Sequence, residues 1–182
     1  MKVLAVVGSP RKRGNTDLLV DAVIRGATEN GAEVEKVFLA DLDVEPCDAC
    51  DGCRKSARCV VRDDMIPLYE QLYASDAWVL GTPIYWWGPS AQIKAFVDRW
   101  YAFSHDIGRV SGKRAALVTA FEESDPATAR HTVGMLQESL DYLHIDFVDQ
   151  VLVTAGNRGE VAHNQAALDR AYALGKRLAL RE

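Results

Sequence analysis

The sequence lacks several features that would assign it to a familiar functional class. No apolar run reaches the ~18–20 residues of a membrane-spanning helix, and basic residues are fewer than acidic ones, 21 against 26, for a formal charge of −5. This balance gives no support for binding nucleic acid or an anionic membrane, because both favour a basic face. The apolar start, residues 1–7, runs into Gly8-Ser9-Pro10 rather than a signal-peptide cleavage site. We therefore expect a cytoplasmic protein.

Cysteine is absent outside one short segment. All four cysteines lie within residues 47–59, at Cys47, Cys50, Cys53 and Cys59. A structural disulfide framework would spread cysteines along the chain to close long loops. A tight cluster in a cytoplasmic protein indicates metal or redox chemistry instead. None of the four histidines forms a ligand-spaced pair, so we expect no histidine metal site.

Short β-rich runs alternate with helical patterns along the chain, without a repeat or an interdomain linker. Strands are predicted at residues 2–7, 33–39, 77–82, 115–120 and 146–154, and amphipathic helices lie between them, including 65–74 and 91–103. Asn15 or Thr16 is predicted to cap the first helix, and Asp63 or Asp64 the second. The alternation predicts a doubly wound, three-layer α/β fold with a five-stranded parallel sheet of order 2-1-3-4-5. We expect one domain, residues 1–182, with a cysteine-rich loop at 45–62.

The loop after the first strand has the composition of a phosphate site. It reads Gly8-Ser9-Pro10-Arg11-Lys12-Arg13-Gly14-Asn15-Thr16. Such a loop, between the end of a strand and the start of a helix, collects free N–H groups and the positive end of the helix dipole. It is not a P-loop, because no lysine precedes Thr16, and it is not a dinucleotide fingerprint, because position 10 is proline. The alternative is an ordinary turn with Gly and Asn at its bends.

A second loop, after the third strand, carries three adjacent aromatic residues. It reads Gly81-Thr82-Pro83-Ile84-Tyr85-Trp86-Trp87-Gly88-Pro89-Ser90. In a sheet of the predicted order, strands one and three are neighbours, and the crevice between their carboxyl ends is the expected ligand site. The aromatic residues suit the flat apolar walls that a planar ring needs. The alternative is that they pack a subunit interface, and both roles can hold together.

Taken together, these motifs resemble the NAD(P)H-dependent FMN reductase family of flavodoxin-like proteins. The resemblance covers nearly the whole chain and also includes Ser90-Ala91-Gln92-Ile93-Lys94 and Asp98-Arg99. It implies a flavodoxin-like fold in which the FMN phosphate is held by Ser9, Arg11, Asn15 and Thr16. It further implies that the ribityl chain and isoalloxazine are bordered by Pro83, Ile84, Tyr85, Trp86 and Trp87.

The resemblance also implies an activity and an assembly. A member of this family passes reducing equivalents from NAD(P)H through bound FMN to a small acceptor such as free flavin or a quinone. No side chain need act as an essential acid or base, so no catalytic set is named. A third loop, Ala120-Phe121-Glu122-Glu123-Ser124, is expected to face the flavin, although it lacks the glycines common there. The family implies a homodimer or homotetramer.

The cysteine pattern, C-x2-C-x2-C-x5-C, is compatible with three interpretations. Its first three cysteines have the spacing of bacterial ferredoxins. The whole pattern resembles the iron–sulfur flavoproteins, which implies a [4Fe-4S] cluster on Cys47, Cys50, Cys53 and Cys59 and an electron carrier fed by a ferredoxin-like partner. A zinc site is the second interpretation, although four-cysteine zinc sites usually have two separated pairs of cysteines. Free or redox-switching thiols, in a reductase or in a non-catalytic redox sensor, are the third.

Overall fold

Five parallel strands form one sheet in the order β2-β1-β3-β4-β5. The structure, a computed structural model, describes residues 1–180. The strands are β1 (Lys2–Val7), β2 (Glu33–Phe38), β3 (Ala77–Pro83), β4 (Arg114–Phe121) and β5 (Asp146–Thr154). Each end lies within one residue of the prediction. The near-continuous apolar run of β1 is typical of a strand buried on both faces, and the alternation of polar and apolar residues in β2 is typical of an edge strand. The predicted fold class and strand order are confirmed.

Helices cover both faces of the sheet and enclose two apolar cores. They are α1 (Asn15–Glu29), α2 (Met65–Ala74), α3 (Ala91–Asp98), α4 (Arg130–Tyr142) and α5 (Gln165–Leu178). One core contains the buried faces of α1 and α5, and the other contains those of α2, α3 and α4. None of the helices within residues 1–180 combines the length and apolar character needed to cross a membrane.

The predicted helix at 91–103 changes type partway along. The α-helix ends at Asp98 and continues as a 3₁₀ helix, Arg99–His105. At the change of type, the carbonyl of Arg99 accepts a hydrogen bond from the Tyr69 hydroxyl at 2.6 Å. Trp100 and Phe103 stay buried in the second core. The apolar spacing therefore predicted the buried face correctly but not the helix type.

The predicted helix caps are partly wrong. Helix α1 has Gly14 at its N-cap, without a side-chain hydrogen bond, so neither Asn15 nor Thr16 caps it. At α2, the N-cap position is occupied by Asp64, but its carboxylate accepts from the Asp43 amide at 2.8 Å instead of from the helix. The Asp63 carboxylate accepts from the Met65 amide at 3.0 Å and serves the helix start. The Asn15 and Asp64 side chains instead form hydrogen bonds with distant loops.

Candidate functional site

A cleft of about 280 Å³ opens at the edge of the sheet where the strands end, and we call it the carboxyl-edge cleft. It receives residues from the loops after β1, β3, β4 and β5, as expected for parallel strands whose carboxyl ends share one edge. The lining residues are Ser9, Arg11, Gly14, Asn15, Thr16, Pro83, Ile84, Tyr85, Ala120, Phe121, Glu122, Ala155, Gly156 and Arg158. The two loops that the sequence singled out therefore meet in space.

One end of the cleft has the donors and the charge that an anion needs. Ser9 and Thr16 are buried there, and helix α1 begins at this point. The first amides of a helix have no partner inside it, and they lie at the positive end of the dipole. Arg11 and Arg158 add two cationic side chains to the lining. This arrangement fits a phosphate group.

The shape of the first loop depends on Asp17, which the sequence analysis missed. The buried carboxylate of Asp17 accepts a hydrogen bond from the Arg13 amide at 2.6 Å and also pairs with Lys36. Lys36 pairs with Asp21 as well, at 2.5 Å. Burial acts to lower the pKa of Lys36, but the two carboxylates outweigh it and the pKa is raised. An acidic residue three positions after the N-cap is a capping signal that could have identified Asp17.

Asn15 lines the cleft, but its side chain is engaged with the loop after β5. Its amide nitrogen donates to the carbonyls of Ala155 (3.1 Å) and Asn157 (2.8 Å). Its amide oxygen accepts from the Val161 amide at 3.2 Å. The side chain therefore connects two loops of the cleft. A phosphate contact from Asn15 would have to come from its backbone N–H, at the first position of α1.

A compact junction joins the first and second loops. The Gly8 amide donates to the Gly81 carbonyl at 2.7 Å, and the Ser90 hydroxyl donates to the Gly8 carbonyl at 2.7 Å. The Ser90 oxygen also caps α3 by accepting from the Ile93 amide. A Cβ at Gly8 would lie 2.1 Å from Ile93, so only glycine fits there without a shift. The junction sets the distance between the anion-binding end of the cleft and the second loop, which carries the aromatic residues.

The aromatic residues form a strained two-residue turn, residues 85–88, which we call the aromatic turn. Tyr85 and Gly88 exchange two backbone hydrogen bonds at 2.9 and 3.0 Å. Trp86 and Trp87 occupy the two central positions with φ of 50° and 61°, which favour Asn or Gly. Left-handed non-glycine residues cost energy and cluster at functional sites.

The structure places the predicted ring-binding residues in two groups. Pro83, Ile84 and Tyr85 line the carboxyl-edge cleft. Trp86 and Trp87 do not line it; they project from the aromatic turn beside it, with 90% and 49% of their surface exposed. The sequence thus predicted which loop carries the ring-binding residues. Which aromatic residues face outward depends on the backbone conformation of the aromatic turn.

Two further loops complete the cleft. Ala120, Phe121 and Glu122 line it, as expected of the loop after β4. The loop after β5, which contributes Gly156 and Arg158, was not predicted from the sequence. The Arg158 guanidinium donates to the Lys12 carbonyl at 2.9 Å and so lies across the first loop. The sequence signal for Arg158 was its position just after a predicted strand, because every strand of a parallel sheet ends at this edge.

The cysteine loop, residues 45–62, lies beside the second core and contains one short 3₁₀ helix, Gly52–Lys55. Cys53 is buried (8% exposed), whereas Cys50 is exposed, and all four cysteines are free thiols. The pKa of Cys53 is raised by burial and, to a smaller degree, by the other three thiols around it. Within residues 1–180, however, no three His, Cys, Asp or Glu side chains converge as metal ligands. The four predicted ligands thus share one neighbourhood without forming a metal site.

The ends and the tip of the cysteine loop are anchored to the 3₁₀ helix Arg99–His105. At the ends, Arg99 pairs with Asp63 and donates to the Glu45 carbonyl at 2.8 Å. At the tip, the Tyr101 hydroxyl contacts both Asp51 (3.3 Å) and Arg54 (3.4 Å). Lys94 and Asp98 simply pair with each other on the exposed face of α3, at 2.6 Å.

The sheet order, the carboxyl-edge cleft and the anion-binding loop define a flavodoxin-like protein. Comparison with known proteins makes the assignment specific. Residues 1–160 match the family model described as NADPH-dependent FMN reductase, and the chain belongs to this family.

Individual relatives fall into two groups. An FMN-dependent NADH:quinone oxidoreductase of Shewanella oneidensis is 31% identical over 181 residues, covering 90% of each chain. An iron–sulfur flavoprotein of Methanocaldococcus jannaschii is 39% identical over 99 residues, which is 54% of this chain and 51% of that one. The match thus spans about half the length of this relative, as it does for the other iron–sulfur flavoproteins matched at 36–39% identity.

Solved structures support the fold. The NAD(P)H:quinone oxidoreductase from Methanothermobacter marburgensis superposes with a TM-score of 0.80 over 100% of this chain and 98% of that one, at 18% identity. At this level of identity, the likeness concerns the flavodoxin-like architecture alone.

Proposed function

We propose that the chain binds FMN in the carboxyl-edge cleft and passes reducing equivalents from NAD(P)H to a small planar acceptor such as free flavin or a quinone. When bound, FMN supplies the capacity to accept a hydride and release its electrons, which no side chain has. The observation that carries the proposal is that one cleft combines an anion-binding end with an apolar wall. Membership of the NADPH-dependent FMN reductase family supports it.

The residues of the cleft fit the parts of FMN. The amides at the start of α1, the hydroxyls of Ser9 and Thr16, and Arg11 and Arg158 suit the phosphate, which is a dianion or nearly so. Pro83, Ile84 and Tyr85 form an apolar border for the ribityl chain and the adjoining ring. The cleft volume of about 280 Å³ is close to the lower end of typical ligand pockets, ~300 Å³. The aromatic turn beside the cleft would border any part of the ring that the cleft does not enclose.

The aromatic turn has the exposed flat surface that a planar electron acceptor needs. Trp86 is almost fully exposed, and its ring centroid lies 6.0 Å from that of Trp87. A flat aromatic acceptor can stack on such a surface, and stacking on tryptophan adds binding energy beyond the buried area. The two backbone hydrogen bonds between Tyr85 and Gly88 close the turn from which both tryptophans project.

The test is anaerobic NADH and NADPH oxidation by the full chain loaded with FMN, with a water-soluble quinone as acceptor. We expect quinone-dependent turnover, with an increased KM for the quinone in Trp86→Ala. His163→Ala, which changes a residue outside the cleft lining, is the control. Stoichiometric FMN binding without turnover on either nucleotide would contradict the reductase activity, and no FMN binding would contradict the site itself.

A second candidate is an electron carrier in which Cys47, Cys50, Cys53 and Cys59 hold an iron–sulfur cluster and a ferredoxin-like partner supplies electrons. Two observations favour it: the relatives named iron–sulfur flavoproteins, and the position of Cys53 among the other three thiols. The thiols do not converge as ligands within residues 1–180. Cluster binding therefore requires the four thiols to move closer together.

Iron and acid-labile sulfide, assayed on protein purified without oxygen, separate the two candidates. Stoichiometric iron and sulfide that are lost together in Cys53→Ser would establish the electron carrier. Iron-free protein that also takes up no cluster during anaerobic reconstitution would exclude it and leave a reductase with a thiol loop. Zinc, measured on the same sample, would identify the third kind of site.

A further inference from the structure

Helix α1 carries a buried negative charge in its first turn, beside the anion-binding end of the carboxyl-edge cleft. The charge belongs to Asp17, which is 4% exposed and directly follows Thr16 of the cleft lining. The Asp17 carboxylate accepts from the Arg13 amide inside the first loop, at 2.6 Å. A carboxylate in the first turn interacts with the same positive end of the helix dipole that a bound anion uses. An unpaired Asp17 would therefore oppose a phosphate at the start of α1.

Lys36, on the edge strand β2, supplies the opposite charge. Its ammonium pairs with Asp17 and, at 2.5 Å, with Asp21 one turn further along α1. The Asp21 side chain is 55% exposed and that of Asp17 is 5% exposed, so water screens the Asp21 charge far more strongly. Lys36 does not line the cleft. Its effect on a ligand there would therefore come through Asp17 and not through contact.

The surroundings of Lys36 keep its ammonium charged and close to Asp17. The ammonium lies 5.0 Å from the centre of the Phe38 ring, which favours a cation. Burial acts to lower the pKa of Lys36, but its hydrogen bonds to the two carboxylates outweigh burial and the pKa is raised. Lys12 of the first loop also approaches the Phe38 ring, at 5.4 Å, but it pairs with Asp41. Among residues 1–180, Lys36 is thus the cation that neutralises Asp17.

We propose that Lys36 promotes FMN binding by neutralising the buried carboxylate of Asp17, which keeps the positive end of α1 available for the phosphate. Lys36 is then a positioning residue that acts through Asp17, and the inference rests on the proposed FMN site. The pair reconciles two effects of Asp17, since its carboxylate shapes the first loop but would repel the phosphate if it were unpaired. Riboflavin has no phosphate, so its affinity should not depend on the pair.

The test is titration of the flavin-free full chain with FMN and with riboflavin, at about pH 8, where an aspartate is ordinarily ionised. Lys36→Met leaves the Asp17 charge unpaired and is expected to weaken FMN binding by about tenfold, with riboflavin affinity unchanged. Adding Asp17→Asn removes that charge but keeps an oxygen that can accept from the Arg13 amide. The double variant is therefore expected to regain most of the wild-type affinity for FMN.

Two single variants complete the design. Asp17→Asn alone is expected to bind FMN about threefold more tightly than the wild type, because the repelling charge is lost and Lys36 remains. This variant tests the sign of the effect even if Lys36→Met does not fold. Lys176→Met removes the same charge from an exposed position on α5 and is expected to leave FMN affinity unchanged.

Three results would overturn the proposal: unchanged FMN affinity in Lys36→Met, a double variant that binds no more tightly than Lys36→Met, or Asp17→Asn weaker than the wild type. A purely structural ion pair predicts the last two, because either substitution would break it. All three leave the proposed function intact. A wild-type chain that binds no FMN would instead overturn the proposed function and this inference together.

Discussion

The guanidinium of Arg99 holds both carboxylate oxygens of Asp63, at 2.5 and 3.0 Å, with the two side chains 0% and 2% exposed. The same carboxylate accepts from the amides of Glu45 (2.9 Å) and Met65 (3.0 Å). Asp63 thus connects the two ends of the cysteine loop, the start of α2 and the 3₁₀ helix after α3. Such a pair is costly to break because either partner alone is a buried, unpaired charge.

Removing one member of the pair is therefore expected to destabilise the fold strongly. Asp63→Asn should lower the free energy of unfolding by about 3–5 kcal/mol, measured by urea denaturation. Lys94→Ala removes an ion pair of which both members are about half exposed and should cost less than about 1 kcal/mol. Equal losses in the two variants would contradict the assigned role of the buried pair.

The same pair predicts how stability falls in acid. Burial acts to raise the pKa of Asp63, but the hydrogen bonds from Arg99 and the Glu45 amide outweigh it and the pKa is lowered. A carboxyl with a lowered pKa in the folded state stabilises the fold above its unfolded pKa of ~3.9 and loses that contribution as the pH falls further. Below about pH 4, wild type should lose stability more steeply than Asp63→Asn. Parallel curves for the two proteins would contradict this.

The junction between the two cleft loops should couple stability to ligand binding. Ser90→Ala removes both the α3 cap and the hydrogen bond to the Gly8 carbonyl, and should cost about 1–2 kcal/mol together with a weaker affinity for FMN. Asn164→Ala removes the cap of α5 and should cost a similar amount of stability with FMN affinity unchanged. Fluorescence titration with FMN separates the two variants, and an unchanged affinity in Ser90→Ala would rule out the coupling.

Arg158 should contribute to phosphate recognition. Arg158→Ala is expected to weaken FMN binding by about 10- to 100-fold, since a hydrogen bond to a charged group is worth about 1.5–3 kcal/mol, and to leave riboflavin binding unchanged. Arg170→Ala on α5 is the charge-matched control. A parallel loss of FMN and riboflavin affinity would show that Arg158 supports the loop rather than the phosphate.

The four thiols should react in a fixed order in iron-free protein. Cys50 is exposed and should be alkylated first, whereas Cys53 is buried, has a raised pKa and should react last. The reason is that the thiolate is the reactive form and burial disfavours it. Peptide mapping after timed alkylation measures the order. Early modification of Cys53 would mean that the cysteine loop opens readily.

The sequence predicts features that depend on residues close together in the chain. It does not predict contacts between residues far apart in the chain. A strand such as Lys2–Val7 was predicted correctly because its apolar run reports local burial directly. The meeting of Ser9 with Tyr85 followed from topology, since all carboxyl ends share one edge. The links from Asn15 to Ala155 and from Arg99 to Asp63 join residues 140 and 36 positions apart. Only the docking of whole elements brings such groups together, so no local pattern encodes these pairs.

We propose that the carboxyl-edge cleft holds FMN by its phosphate. Parallel titrations of the flavin-free full chain with FMN and with riboflavin, followed by flavin fluorescence, test this binding mode. We expect one FMN per chain, bound at least about 100-fold more tightly than riboflavin because only FMN has a phosphate for the α1 amides and the two arginines. Equal affinity for both flavins, or no binding of FMN, would contradict phosphate-directed binding in the cleft.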